Sequence, residues 1–209
     1  MPDHTADRPE GGPLAAAAYA ALTELERVNE LAANAPGLAE RRALADTAAW
    51  RYELYQVALA RLGGAEPVEA MAPAAGALDD ARRRLRTADW WEGLAASNLG
   101  AALSDDLFRA LTARDAVQDG AVPDGAVPDG AAETAGPAES AEPTWVQLRL
   151  SEAVREDPAL AARLSLWSRR VVGEAIVLAR EFGGDGYPEL AARLAANHEN
   201  RMAALGLEG

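Results

Sequence analysis

Leu160, Leu164, Trp167, Val171, Glu174 and Leu178 recur at alternating steps of four and three, which stacks them on one face of a helix over residues 157–182. Asp157 is placed to cap its first turn, Pro158 suits the first helical position, and Gly183-Gly184 ends the run. Glu174 is the one carboxylate in that apolar stripe. Such a group is a ligand, a member of a buried hydrogen-bond network, or a side chain that snorkels out between helices.

The same spacing predicts further helices. The first opens at Pro13 with Leu14, Ala18, Ala21, Leu25, Val28 and Ala32 inward and Glu24, Arg27 and Glu30 on the wet side, and the stretch 34–37 breaks it. A second, about 38–62, turns Leu38, Ala45, Ala48, Tyr52, Tyr55, Leu59 and Leu62 inward, with Arg51 at the edge of that face and Gly63-Gly64 as its stop. A short helix at about 73–86 follows, with Leu78, Ala81 and Leu85 inward and Arg82, Arg83, Arg84 and Arg86 as a solvated face beside Asp79 and Asp80.

Asp89 with Glu92 forms a capping box for a third main helix reaching about residue 113. Its stripe is Trp90, Leu94, Ser97, Ala101, Ser104, Phe108 and Leu111, large at the ends and small or polar at the centre. That centre either packs tightly on a neighbour or borders a cavity. Residues 114–143 carry DGAVP in tandem, and their Pro and Gly spacing forbids a regular element, which predicts an acidic disordered loop. Thr144 with Gln147 caps a helix bearing Val146, Leu150 and Val154, and a last helix at 188–205 turns Leu190, Leu194, His198, Met202 and Leu205 inward.

Long amphipathic helices with no strand pattern predict an all-α antiparallel bundle: one domain over 13–209 behind a disordered tail at 1–12, in parts 13–113 and 144–209 on either side of the loop. A 49% hydrophobic content is enough to close a core at 209 residues. The net charge of −13 argues against nucleic acid or an anionic membrane as partner. No Cys and no Lys exclude disulfides, thiol nucleophiles and Schiff bases, and codon bias in a GC-rich genome accounts for the missing Lys. The N-terminal stretch lacks a signal-peptide core and no apolar run nears the roughly 20 residues of a membrane span, so the expectation is a soluble cytoplasmic protein.

Carboxylate-bridged di-iron or di-manganese centres in such bundles draw a Glu from each of two helices and Glu-x-x-His from two more, because i, i+3 spacing aims both ligands at one metal. The chain has two histidines, His4 and His198, neither preceded by Glu at the third position. His198 is expected as a core imidazole satisfied by a neighbour, Asp105 and Asp106 as solvated, and Trp50, Trp90, Trp91, Trp145 and Trp167 as core and helix-end anchors.

AYAALTELERV (18–28), EAMAP (69–73), ADWWEGL (88–94), DPALAARLSLWSRRVVGEA (157–175) and HENRMAALGL (198–207) together resemble ferritin-like fold proteins related to the tRNA-(2-methylthio-isopentenyl-adenosine) hydroxylase family. The resemblance implies a ferritin-like four-helix bundle with additional C-terminal helices, whose active members hold two irons and hydroxylate with O₂. Against that pattern Ala21 stands at the first-helix Glu, Ala48 and Arg51 at the second-helix Glu-x-x-His, and Ala101 and Ala110 at acidic positions flanking Asp106 and Arg109. The second acidic-x-x-His pair falls where the Gly/Pro repeat stands.

The expectation is therefore a degenerate member without metal or other cofactor, in which Ala21, Ala48, Arg51, Ala101, Asp106, Glu174 and His198 mark the former metal site or line a cavity. Its function would be binding, regulatory or structural. The alternatives are a di-iron hydroxylase-like oxygenase and a module holding a small apolar ligand. The partner is left open, with a homodimer among the options.

Overall fold

Asp157 does cap the long helix: its Oδ1 accepts from the backbone N–H groups of Ala159 and Leu160 at 2.9 and 3.0 Å. In the computed structural model, which describes residues 12–62, 66–118, 144–183 and 186–208, the chain runs as α1 (Gly12–Ala33), α2 (Leu38–Arg61), α3 (Pro67–Arg84) and α4 (Trp90–Ala95). A π-helical turn (Ala96–Gly100) joins α4 to α5 (Ala101–Gln118), followed by α6 (Thr144–Glu156), α7 (Pro158–Gly183) and α8 (Tyr187–Leu205). No strand occurs among the described residues, and no helix there is long and apolar enough to cross a membrane.

The short turn at 34–37 folds α2 back along α1, and α1 also packs on α3 and α5. On the other side α7 lies against α5, α6 and α8. Leu99, Leu103, Leu107, Leu164 and Leu194 are fully buried where these layers meet. Such side chains supply most of the stabilisation, at about 25 cal/mol per Å² of apolar surface removed from water.

The stripes of α7 and α8 face inward as expected: Leu160, Leu164, Trp167, Val171 and Leu178 are buried, and so are Leu190, Leu194, His198, Met202 and Leu205. The α2 stripe does so only in part, with Ala48 buried and Tyr55, Leu59 and Leu62 part-buried. Leu38 is 82% exposed and Tyr52 51% exposed, and Ala45 also faces water. The buried residues of α2 are Leu44, Thr47, Ala48 and Arg51. Arg51 has moved from the expected edge to the interior because it finds a carboxylate and a carbonyl there.

On α1, Leu14 is exposed and Ala21 only part-buried, whereas Glu24 is buried to 6% exposure. The expected wet position of Glu24 is corrected by two features: Arg27, one turn on, reaches its Oε1 at 3.1 Å, and α1 is covered on several sides at once. The α3 helix begins at Pro67, earlier than the expected start at 73, and carries Pro73 inside it. Its Tyr19 contact ties it to α1: the Tyr19 hydroxyl donates to Asp79 Oδ1 at 2.8 Å, and desolvation together with that bond pushes the phenol up to about 12. The arginine face pairs with acids on three sides, Arg82 with Glu26 and Glu30, Arg83 with Asp80, and Arg84 with Glu174.

The α5 helix continues through Gln118, so the expected loop starts later than residue 114. Residues 1–11, the Gly63-Gly64 stop, the tandem repeat at 119–143 and the side chain of Thr144 lie outside the described residues.

At the start of α4 the Asp89 half of the capping box forms, and Glu92 reaches back one residue past the cap, to Ala88. Asp89 Oδ1 accepts from the Glu92 N–H at 3.0 Å and Glu92 Oε2 accepts from the Ala88 N–H at 2.7 Å, while Arg163 of α7 reaches Asp89 at 2.5 Å. Asp89→Ala is expected to lower unfolding stability by about 1 kcal/mol. Urea denaturation tests this, and an unchanged midpoint would show that the cap contributes nothing.

Candidate functional site

The chemistry that the bundle interior can offer gathers around the π turn. Its residues, Ala-Ser-Asn-Leu-Gly, are small or polar apart from Leu99, and Ala96, Ser97, Asn98 and Leu99 are all buried. A π turn loosens the regular i to i+4 ladder and frequently stands at functional positions. The expectation that the centre of this helix packs tightly or borders a cavity holds on both counts.

On one side it is reached by Arg51 of α2. The Arg51 Nη1 donates to Asp105 Oδ2 at 3.2 Å, its Nη2 donates to the Ser97 carbonyl at 3.4 Å, and its guanidinium lies 4.5 Å from the centre of the Trp50 ring. Arg51 is 2% exposed, whereas the Asp105 side chain is 42% exposed. The cation is thus held inside and its counterion reaches water. Asp105, expected as merely solvated, is the residue that brings Arg51 into the interior.

On the other side the π turn borders a cavity of about 60 Å³ between α1, α3, α5 and α7, to which Gly100, Leu103 and Ser104 contribute. Glu24 from α1 and Glu174 from α7 also line it. Glu174 does not point into a ligand set: both its oxygens accept from Arg84 Nε at 2.9 Å. Of the three roles open to it, the observed one is the third: the side chain, 19% exposed, snorkels to the edge of the bundle, where it pairs with Arg84.

The remaining candidates lie elsewhere. Asp106 faces α8, where Asn197 donates at 2.9 Å and Arg201 at 2.8 Å. His198 Nε2 lies 3.0 Å from the Ser168 carbonyl, an oxygen that can only accept, so this nitrogen carries the proton. The neighbour expected to satisfy the imidazole is therefore a backbone group. Burial lowers the His198 pKa below 6.5, with Arg201 lowering it further and the Ser168 bond and Glu199 opposing. Ala48 and Ala101 are buried and carry no donor, and Ala21 is part-buried.

Two clustered transition metals need carboxylates and imidazoles aimed at a common point. Among the described residues no three His, Asp or Glu side chains converge in that way. Asp105, Asp106 and Glu174 are each engaged by an arginine, and a guanidinium sits between α2 and the π turn. The donor set among the described residues does not fit a di-iron centre. Glu24, Asp105 and the π turn are the parts that sequence reasoning missed. The available signals were the Glu24–Arg27 spacing of three, which pairs charges on a helix, and the small, polar centre of the α4 to α5 stripe.

A family model described as a ferritin-like domain of actinomycetes matches residues 12–186. No curated protein matches the chain.

Proposed function

The chain belongs to the ferritin-like domain family, and within that family we propose that it is a metal-free bundle that works by binding, as a regulatory or structural partner, in place of redox catalysis. The observation that carries this is Arg51. Its buried, permanently charged guanidinium stands between α2 and the π turn and is held by Asp105 and the Ser97 carbonyl. A fixed cation in the interior repels Fe²⁺ or Mn²⁺ and consumes the carboxylate that would otherwise attract it.

The same proposal includes the relation to the hydroxylases of a modified adenosine. Their scaffold, resembled by residues 157–175 and 198–207, would here have its ligand positions filled by Ala21, Ala48, Arg51 and Ala101. The charge of −13 favours a protein or a neutral small molecule as partner over nucleic acid.

Elemental analysis of the purified full-length protein after growth in iron- and manganese-replete medium is the test. Both metals are expected well below one per chain. A stoichiometric pair of bound metals would end this reading and favour the oxygenase.

A further inference from the structure

Four helices meet around the cavity beside the π turn, and each supplies an apolar wall: Ala20 from α1, Leu78 from α3, Leu103 and Leu107 from α5, Val171 and Leu178 from α7. All six are buried. Gly100 lines the same space without a side chain, and a Cβ there would meet nothing closer than Val171 Cγ1 at 4.0 Å. Even the smallest side chain would therefore take up room that the glycine leaves open.

The polar residues that share the lining are engaged with one another or with other helices. Thr23 donates to the Ala20 carbonyl at 2.9 Å, Glu24 Oε1 is held by Arg27, Arg82 pairs with Glu26 and Glu30, and both oxygens of Glu174 accept from Arg84. The atoms of lining residues that lack a partner among the described residues, Glu24 Oε2, Arg27 Nε and Trp167 Nε1, have almost no accessible surface, so no occupant meets them. A trapped water needs about two to four polar partners. Against leucine and valine walls it would give up the hydrogen bonds of bulk water, whereas an apolar molecule gives up none and leaves water behind. Apolar cavities of about 150 Å³ stay dry and take benzene or xenon. At about 60 Å³ this one suits a smaller body, of about two to four heavy atoms. Arg82 and Glu174 line the cavity and are part-exposed, which marks its open side.

We infer that this cavity is a binding site for a small apolar molecule of the short-hydrocarbon class, held by contact with the leucine and valine walls and by no hydrogen bond. The inference rests on reading the chain as a metal-free binding protein and names the class of ligand.

The test exposes the full-length protein, labelled with ¹³C at leucine and valine methyl groups, to rising xenon pressure. The methyl signals of Leu103 and Val171, assigned by substitution, are expected to shift saturably, while those of Leu148, exposed on α6, move little. Methanol, small but polar, is expected to give no saturable shift at the same signals. Gly100→Ala narrows the cavity without a clash and should weaken xenon binding severalfold. Val171→Leu fills the space from α7 and provides a second variant should the first fail to fold. No saturable shift with xenon, saturation of the same signals by methanol, or a xenon affinity unchanged in the folded variants overturns the inference. Elemental analysis of the same sample separates the two failures: metal-free protein that ignores xenon loses only the ligand class, whereas stoichiometric metal removes the binding-protein reading itself.

Discussion

Arg51→Ala is expected to lower unfolding stability by about 3 kcal/mol, whereas Arg51→Met should stay within about 1 kcal/mol of the parent protein. Truncation to Ala empties the space of a long side chain that is 2% exposed and removes the donors to Asp105 and the Ser97 carbonyl. Cavity formation supplies most of that loss, as for other large-to-small changes in cores. The ion pair supplies less, because the Asp105 side chain is 42% exposed and can turn to water once its partner is gone. Methionine keeps the volume of the aliphatic stem and brings no charge that must be desolvated. Urea denaturation of both variants checks the pair of values. Equal losses for Ala and Met would mean that the charge, and not the volume, dominates. No loss in Arg51→Ala would mean that the guanidinium is not held inside, and the argument against a metal centre would lose its support.

The contrast between the two ends of the chain explains what the sequence could reveal. In α7 and α8 large apolar residues alternate with arginine and glutamate, so the inner face stands out, and every expected apolar position of both stripes is buried. In α1 and α2 alanine occurs on all faces and carries little contrast. There tertiary partners decided orientation: Asp105 drew Arg51 inward, and Arg27 allowed Glu24 to be covered. Tyr52 and Leu38, apolar by composition, were left outside. Capping at Asp89 and Asp157 was readable because it depends on residues one turn away. The π turn was not, since a shift in helix register leaves only a weak compositional trace. The scatter of Asp106, Glu174 and His198 onto separate partners likewise depends on arginines and a backbone carbonyl supplied by other helices.

His198 gives the fold a dependence on pH that a surface histidine would not. The imidazole is 1% exposed, donates from Nε2 to the Ser168 carbonyl, and has an Nδ1 without a partner among the described residues. Protonation would place a charge and an unpaired N–H in that position, with Arg201 close enough to oppose it and Glu199 only partly compensating. The native pKa therefore lies below 6.5, the value in the unfolded chain. The unfolded state then binds more protons in the interval between the two values. Stability is complete above pH 6.5 and declines as pH falls from there toward the native value. His198→Gln should remove this component, since its amide N–H₂ can donate to the same carbonyl without titrating, at a cost of about 1–3 kcal/mol at neutral pH from imperfect filling. Denaturation midpoints of both proteins, measured across that interval, give the answer as a difference, which cancels carboxylates titrating at lower pH. A parent protein that loses stability faster than the variant supports the assignment; parallel curves would mean that the imidazole accepts its proton without disturbing the contact between α7 and α8.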